Sequence, residues 1–302
     1  MQTIPKKGKV FISTPLDEHL AKEQLAVKTL LIDEIQKRGL SPQEFLRRGV
    51  VARKSWTFQN AISLISECQG VLVLGLARSR WEVQTGTYLC PSEYSHFEGA
   101  VALSKGIPTL IVAENGVVNR GIVSTAGGEP ISYVDTLSPK SPLSDTVFLI
   151  AFEGWLSEID ARPRVFLGYC GQARTTAVDI QQYIERDLGV SVRNYAMDFQ
   201  AGGTIFEEIE RSARECSCGI FLFTNDDPLV SPVEGVAAPR DNVVFEAGYF
   251  MHAKGKQRTL IIREQGAKMP ADVGGNIYVL LKDRNDISPI HRALRKFLSD
   301  RL

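Results

Sequence analysis

Short apolar runs alternate with helix-spaced apolar stretches along the whole chain. "KVFIST" at 9–14 reads as a strand, followed by a helical stretch, "LAVKTLLIDEIQKRGL" at 25–40, with a glycine near its end. "ISLISECQGVLVLGLA" at 62–77 reads as a helix running into a buried strand, and "SHFEGAVALSKGIPTLIVAE" at 95–114 as helix, glycine stop and strand. The second half repeats the plan with "RVFLGY" at 164–169, "TAVDIQQYIERDLGV" at 176–190, "EEIERSARECSCGIFLFT" at 207–224 and "NVVFEAGYFMHAKGKQRTLIIRE" at 242–264. The offsets agree: Phe166 minus Phe11 is 155, Cys216 minus Cys68 is 148, and Glu246 minus Glu98 is 148. A repeat near half the chain length indicates two copies of one fold.

The strands are short apolar runs without strict alternation, which is the pattern of parallel sheets covered on both faces. The fold class expected is α/β: two tandem flavodoxin-like or Rossmann-like domains with doubly wound parallel sheets. The boundary is placed near "DARPR" at 160–164, giving domains 1–162 and 163–302. The stretch 143–159 closes the first domain as a helix, and Pro163 marks the restart. The last helix is expected over 288–302, with Ser288 as N-cap and Pro289 in its first position.

Composition narrows the function classes. At 302 residues, 44% hydrophobic and 23% charged, the chain is an ordinary globular one, neither disordered nor fibrous. Lysine plus arginine and aspartate plus glutamate both number 35, a balance that argues against a duplex nucleic-acid binder. The longest apolar runs fall far short of the roughly 20 residues that a membrane span needs. The N-terminal stretch has no apolar h-region, and five cysteines do not make a disulfide scaffold, so a cytoplasmic protein is expected.

The common chemical motifs are absent. No GxxxxGK[ST] loop and no GxGxxG follows the first strand of either half; HExxH, paired CxxC stations and GxSxG are missing as well. Cys216 and Cys218 precede a strand and read as buried, and no metal site is expected. Of the scattered histidines, His96 lies near Glu98, with a surface role favoured. A carboxylate placed alike in both halves is left. In "PRDNVVFEAGYF" at 239–250, Asp241 reads as N-cap and Glu246 falls in the first turns of the helix. The long polar loop at 224–242 follows a buried strand, where doubly wound sheets place their ligand crevice, so Glu246 is expected to lean over that crevice. An acid there also simply suits the helix macrodipole, worth about 0.3–1 kcal/mol. From the pattern alone both readings stand.

On these residues the stretch from about Arg164 to Leu302 resembles the TIR-like predicted nucleotide-binding proteins, including TIR domains of bacterial antiphage effectors. The resemblance rests on "RVFLGYC", "FQAGGTIFEEIE" at 199–210, "CGIFLFTNDD" at 218–227, "PRDNVVFEAGYFMHAKGKQRTLII" at 239–262 and "MPADVGGNIYVLL" at 269–281. It implies an NAD⁺-cleaving enzyme whose catalytic glutamate falls on Glu246, with NAD⁺ as substrate and no cofactor. Gly168, Tyr169, Phe199, Asp226, Arg240 and Asn242 are the expected cleft residues, Tyr169 or Phe199 stacking on a ring. The resemblance further implies a homo-oligomer on activation, with the loop "MDFQAGGT" at 197–204 rearranging. Fainter is the first half's likeness to nucleoside 2-deoxyribosyltransferase-like, Rossmann-like sensor domains, carried by "KVFISTPL" at 9–16 and "FEGAVALSKGIPTLIV" at 97–112. There Glu98 falls on the nucleophile of those enzymes, and with Ser13 it forms a candidate second site; the acidic and small residues that precede that glutamate in the family have no clear match in "CPSEYSHF" at 90–97.

Cleaving the nicotinamide–ribose bond asks for one carboxylate only. Ordinary glycosidases need a second carboxyl to protonate the leaving oxygen, whereas nicotinamide leaves neutral from a cationic nitrogen. The leading expectation is therefore a signal-activated NAD⁺ nucleosidase in antiphage defence, its first domain binding a nucleotide-type second messenger or nucleoside-type ligand, or mediating assembly. Two alternatives accompany it: an N-glycosidase or deoxyribosyltransferase using Glu98, and a nucleotide-binding signalling module without catalysis.

Overall fold

The computed structural model describes residues 8–45, 56–84, 86–138, 140–194, 204–228, 237–270 and 278–302. Their contacts divide into two units, one running from Lys7 to Ala161 and the other from Arg162 to Leu302.

In the first unit five parallel strands are β1 (Lys9–Ser13), β2 (Ser41–Gln43), β3 (Gly70–Gly75), β6 (Thr109–Glu114) and β7 (Ile131–Val134), in the spatial order β2-β1-β3-β6-β7. Side chains of successive strand residues leave opposite faces of the sheet, and each face gathers its own core. Val10 and Ile12 of β1 join Leu72 and Leu74 of β3 against α1 (Lys22–Lys37) and α4 (Thr146–Ala161), through Leu31, Ile35, Phe152 and Trp155. Phe11, Val71 and Val73 face the other way, onto Ile65 of α2 (Phe58–Ser66) and Ala102 of α3 (Glu93–Ser104). Burying each such side chain contributes about 1.5–3 kcal/mol. An antiparallel hairpin, β4 (Ser79–Val83) with β5 (Gly86–Cys90), interrupts the plan between β3 and α3. The sequence carries no strand signal there, because "SRWEV" and "GTYLC" lack a buried face.

The second unit repeats the architecture. Its parallel strands are β8 (Val165–Gly168), β9 (Val192–Asn194), β10 (Cys218–Phe223), β13 (Thr259–Glu264) and β14 (Tyr278–Leu281), ordered β14-β13-β10-β8-β9. Numbered within each unit, both sheets therefore read 2-1-3-4-5, the doubly wound flavodoxin-like order. The helices are α5 (Arg174–Gln182), which continues through a π turn at Tyr183–Asp187, then α6 (Ile205–Glu215), α7 (Asp241–Lys254) and α8 (His291–Arg301). Thr204 caps α6 through a capping box, its Oγ1 accepting from Glu207 N while Glu207 Oε2 accepts from Thr204 N at 2.9 Å. Helix α7 begins one residue earlier than expected, with Arg240 in the N-cap position and Asp241 in the first turn, and ends at Gly255 with φ 87°. Before α8, Ser288–Ile290 form a separate 3-10 turn. A short antiparallel pair, β11 (Asp227–Pro228) and β12 (Ala237–Ala238), lies between β10 and α7.

One device recurs in both units. Glu114, last in β6, accepts from the backbone N–H of Ala77 at 2.8 Å, from Gln24 Nε2 at 2.7 Å and from Thr136 Oγ1 at 2.6 Å. Glu264, last in β13, accepts from the backbone N–H of Asn225 at 2.8 Å and takes a two-pronged ion pair from Arg284. In each case the fourth strand's terminal carboxylate ties down the segment that leaves the third.

Candidate functional site: a buried carboxylate at the carboxyl end of each sheet

Where the strand order reverses, between the first and third strands, a doubly wound sheet opens its crevice. The duplicated glutamates both stand there, in different states.

Glu246 lies in the second turn of α7, on the face that also carries Val243, Ala247 and Phe250 into the core. It is 0% exposed, and among the described residues neither carboxylate oxygen has a hydrogen-bond partner. A β-carbon on Gly168, the last residue of β8, would come within 2.7 Å of Glu246 Oε2 and 2.6 Å of Phe221 Cδ1. Glycine is thus required at position 168 by close approach, and the carboxylate rests almost on the backbone at the strand end. Burial pushes the Glu246 carboxyl up to about 8, favouring its neutral form. The expectation that it leans over the crevice is corrected: it sits at the crevice end of the sheet but is fully buried, with Oε2 close against Gly168.

Asp226, just past β10, is buried beside a second polar group. Its Oδ2 accepts from Thr224 Oγ1 at 2.6 Å and from the Cys170 thiol at 2.9 Å, while its Oδ1 has no partner among the described residues. Burial first, then the hydrogen bond to Asp226, pushes the Cys170 thiol up. Tyr169 is not free to stack on a ring: it is 1% exposed, with its hydroxyl donating to Asn194 Oδ1 at 2.6 Å. Arg240 pairs with Asp227 at 3.3 Å, and Asn242 is exposed on the first turn of α7. Phe199, and all of the 197–204 loop except Thr204, lie outside the described residues. The structure therefore brings together Gly168 with Glu246, and Cys170 with Thr224 and Asp226. Cys170 and Phe221 were not singled out from the sequence. Their signal was available only as a thiol ending "RVFLGYC" and an aromatic in "GIFLFT", which any core strand supplies.

In the first unit Glu98 is also buried, yet it is fully engaged. Ser13 Oγ donates to its Oε2 at 2.6 Å, and Trp56 Nε1 donates to its Oε1 at 2.8 Å. Burial raises the Glu98 carboxyl, and these two hydrogen bonds pull it back down. His96 is half-buried: its Nδ1 accepts from the backbone N–H of Ile122 at 3.0 Å, anchoring a loop, and burial lowers its pKa. Cys216 and Cys218 are buried, each pushed up to about 12. Among the described residues no three His, Cys, Asp or Glu side chains are grouped to hold a metal ion, and no helix is long and apolar enough to cross a membrane.

The second unit is a TIR-like domain: residues 164–283 match the family model described as the TIR domain of CAP12/Pycsar effector proteins. Among similar curated proteins is the Pycsar effector protein BcPycTIR of Burkholderia cepacia, 30% identical over 143 residues, a match covering 45% of this chain and 47% of that protein. CD-NTase-associated protein 12 of Flavobacterium daejeonense is 30% identical over 117 residues, covering 38% of this chain and 36% of its own length. The chain thus spans less than half the length of the relatives it matches.

Proposed function

We propose that this protein is an antiphage effector whose second unit cleaves the nicotinamide–ribose bond of NAD⁺, with Glu246 as the catalytic carboxylate and a nucleotide-type signal acting through the first unit. One observation carries the reading: Glu246 is a fully buried acid at the switch point of a TIR-like sheet, and among the described residues neither of its oxygens has a hydrogen-bond partner. Such an acid contributes nothing to packing that an apolar residue would not do better, and perturbed acids of this kind concentrate at reactive sites.

The chemistry needs no second acid. The bond from ribose C1′ to the pyridinium nitrogen breaks, its electron pair neutralises that nitrogen, and water adds to C1′ with loss of a proton. A carboxylate about 4 Å from the developing ribose cation, at an effective dielectric near 20, contributes about 4 kcal/mol, or roughly 10³-fold in rate. Glu246 performs this only when ionised and uncovered. The closed conformation is accordingly the resting one, and a cationic substrate entering beside Glu246 favours its ionised form and releases its proton. Assembly of several copies on activation is part of the proposal.

Glu98 is less suited to such work, since Ser13 and Trp56 already occupy both of its oxygens. Incubating the full chain with NAD⁺ and a panel of nucleotides, with chromatographic detection, tests the reading. Nicotinamide should appear with the right nucleotide and vanish in Glu246→Gln. Release that persists in Glu246→Gln and vanishes in Glu98→Gln would move the activity to the first unit, and nucleotide binding without any release would leave a signalling module.

A further inference from the structure

We propose that Trp56 is the protein's own occupant of a base-binding site over Glu98, displaced by a purine that carries a ring N–H, of the guanine type. The proposal rests on the reading that the first unit receives a nucleotide-type signal, and it names where and how.

Glu98 is 4% exposed at the switch point of the first sheet, between the ends of β1 and β3. Its Oε2 is taken by Ser13 of β1, and its Oε1 is held by one N–H from a flat bicyclic ring, the Trp56 indole, at 2.8 Å. That indole is ringed by aromatic edges: Tyr94 at 4.4 Å, Phe58 at 5.0 Å and Phe97 at 6.0 Å between ring centres. Tyr94 and Phe58 are themselves 53% and 59% exposed, so the aromatic group opens to solvent instead of closing a core. A buried acid beneath partly exposed aromatic walls is how proteins hold a planar base.

The indole and a purine share size and flatness, and both can offer a ring N–H to the carboxylate. Guanine goes further. Its ring N–H takes the place of the indole's on Oε1, and its adjacent amino group reaches the second lone pair of Oε2, giving two donors to a carboxylate where Trp56 gives one. Adenine has no ring N–H on its Watson–Crick edge and lacks that pair. Displacement moves Trp56 and so converts binding into a change of conformation, at the expense of apparent affinity while the indole competes.

Guanosine monophosphate is the probe. Titrated into the full chain, it should change tryptophan emission, and the change should be absent in Trp56→Phe. Binding followed by calorimetry should tighten about tenfold in Trp56→Phe, because the competitor is gone. Blocking the ring N–H, with 1-methylguanosine monophosphate, should weaken it at least about tenfold, as should Glu98→Gln. Equal or weaker binding by Trp56→Phe overturns the proposal, making Trp56 a wall of the site or a bystander. Absence of binding, or binding indifferent to the N–H block, overturns it as well. Nucleotide-stimulated nicotinamide release that survives in Glu98→Gln overturns this site while leaving the first unit's role as receiver standing.

Discussion

Phe221 stands directly across the strand pair from Gly168, and its ring fills the space that a side chain on residue 168 would need. At the matching place in the first unit Val73 stands across from Ser13. The two pairs divide one volume differently: a large ring with no side chain beside it, or a small branched residue with a hydroxyl. The hydroxyl decides the state of the acid above it. Ser13 satisfies Glu98, whereas Gly168 offers Glu246 nothing.

Replacing Gly168 by serine alone should fail. The new β-carbon meets Phe221 at 2.6 Å, and we expect a loss of about 1–3 kcal/mol in denaturant unfolding. Combining Gly168→Ser with Phe221→Val should recover part of that loss and supply the missing donor. Glu246 should then titrate lower than about 8, observable by carboxyl NMR.

Stability should depend on pH through Glu246. An acid whose folded pKa is raised to about 8 binds more protons folded than unfolded above its ordinary value near 4.5, so stability falls as pH rises across that window. Glu246→Gln removes this slope. Between pH 5 and pH 8 the wild type should lose about 3 kcal/mol relative to the variant, measured by unfolding at several pH values. Parallel curves for the two proteins would contradict it.

Ser13→Ala should leave Glu98 Oε2 without its donor inside the first unit. A cost of about 1–3 kcal/mol is expected. Because the lost hydrogen bond was lowering the Glu98 pKa, that pKa should climb further, and the deficit should grow toward alkaline pH.

Thiol chemistry offers an independent check. Cys90 is the partly exposed cysteine, while Cys216 and Cys218 are buried and pushed up to about 12. Alkylation of the folded protein should reach Cys90 first and leave Cys216 and Cys218 to the last. Asp226→Asn removes an influence that raises the Cys170 pKa and should accelerate alkylation there, read by peptide mass spectrometry.

Much of this was legible in the sequence, and the exceptions share a cause. The strand runs, the helix at α4 and the 148-residue offset between Glu98 and Glu246 follow from periodicity, because burial on both sheet faces leaves strands plainly apolar. The hairpin at Ser79–Cys90 did not show, since its stability comes from cross-strand pairing of exposed residues. The burial of Tyr169 did not show either, because a tyrosine at a strand end reads the same whether its hydroxyl meets a ligand or, as here, Asn194. The close approach of Glu246 to Gly168 was not legible either, since it joins residues 78 positions apart that no local pattern relates.

The Ser13–Val73 and Gly168–Phe221 pairs also limit how the halves can be exchanged. Turning one kind of half into the other takes two substitutions, and either alone leaves a collision or a void at the strand end. A transplanted first strand therefore has to travel with its neighbour if the graft is to pack.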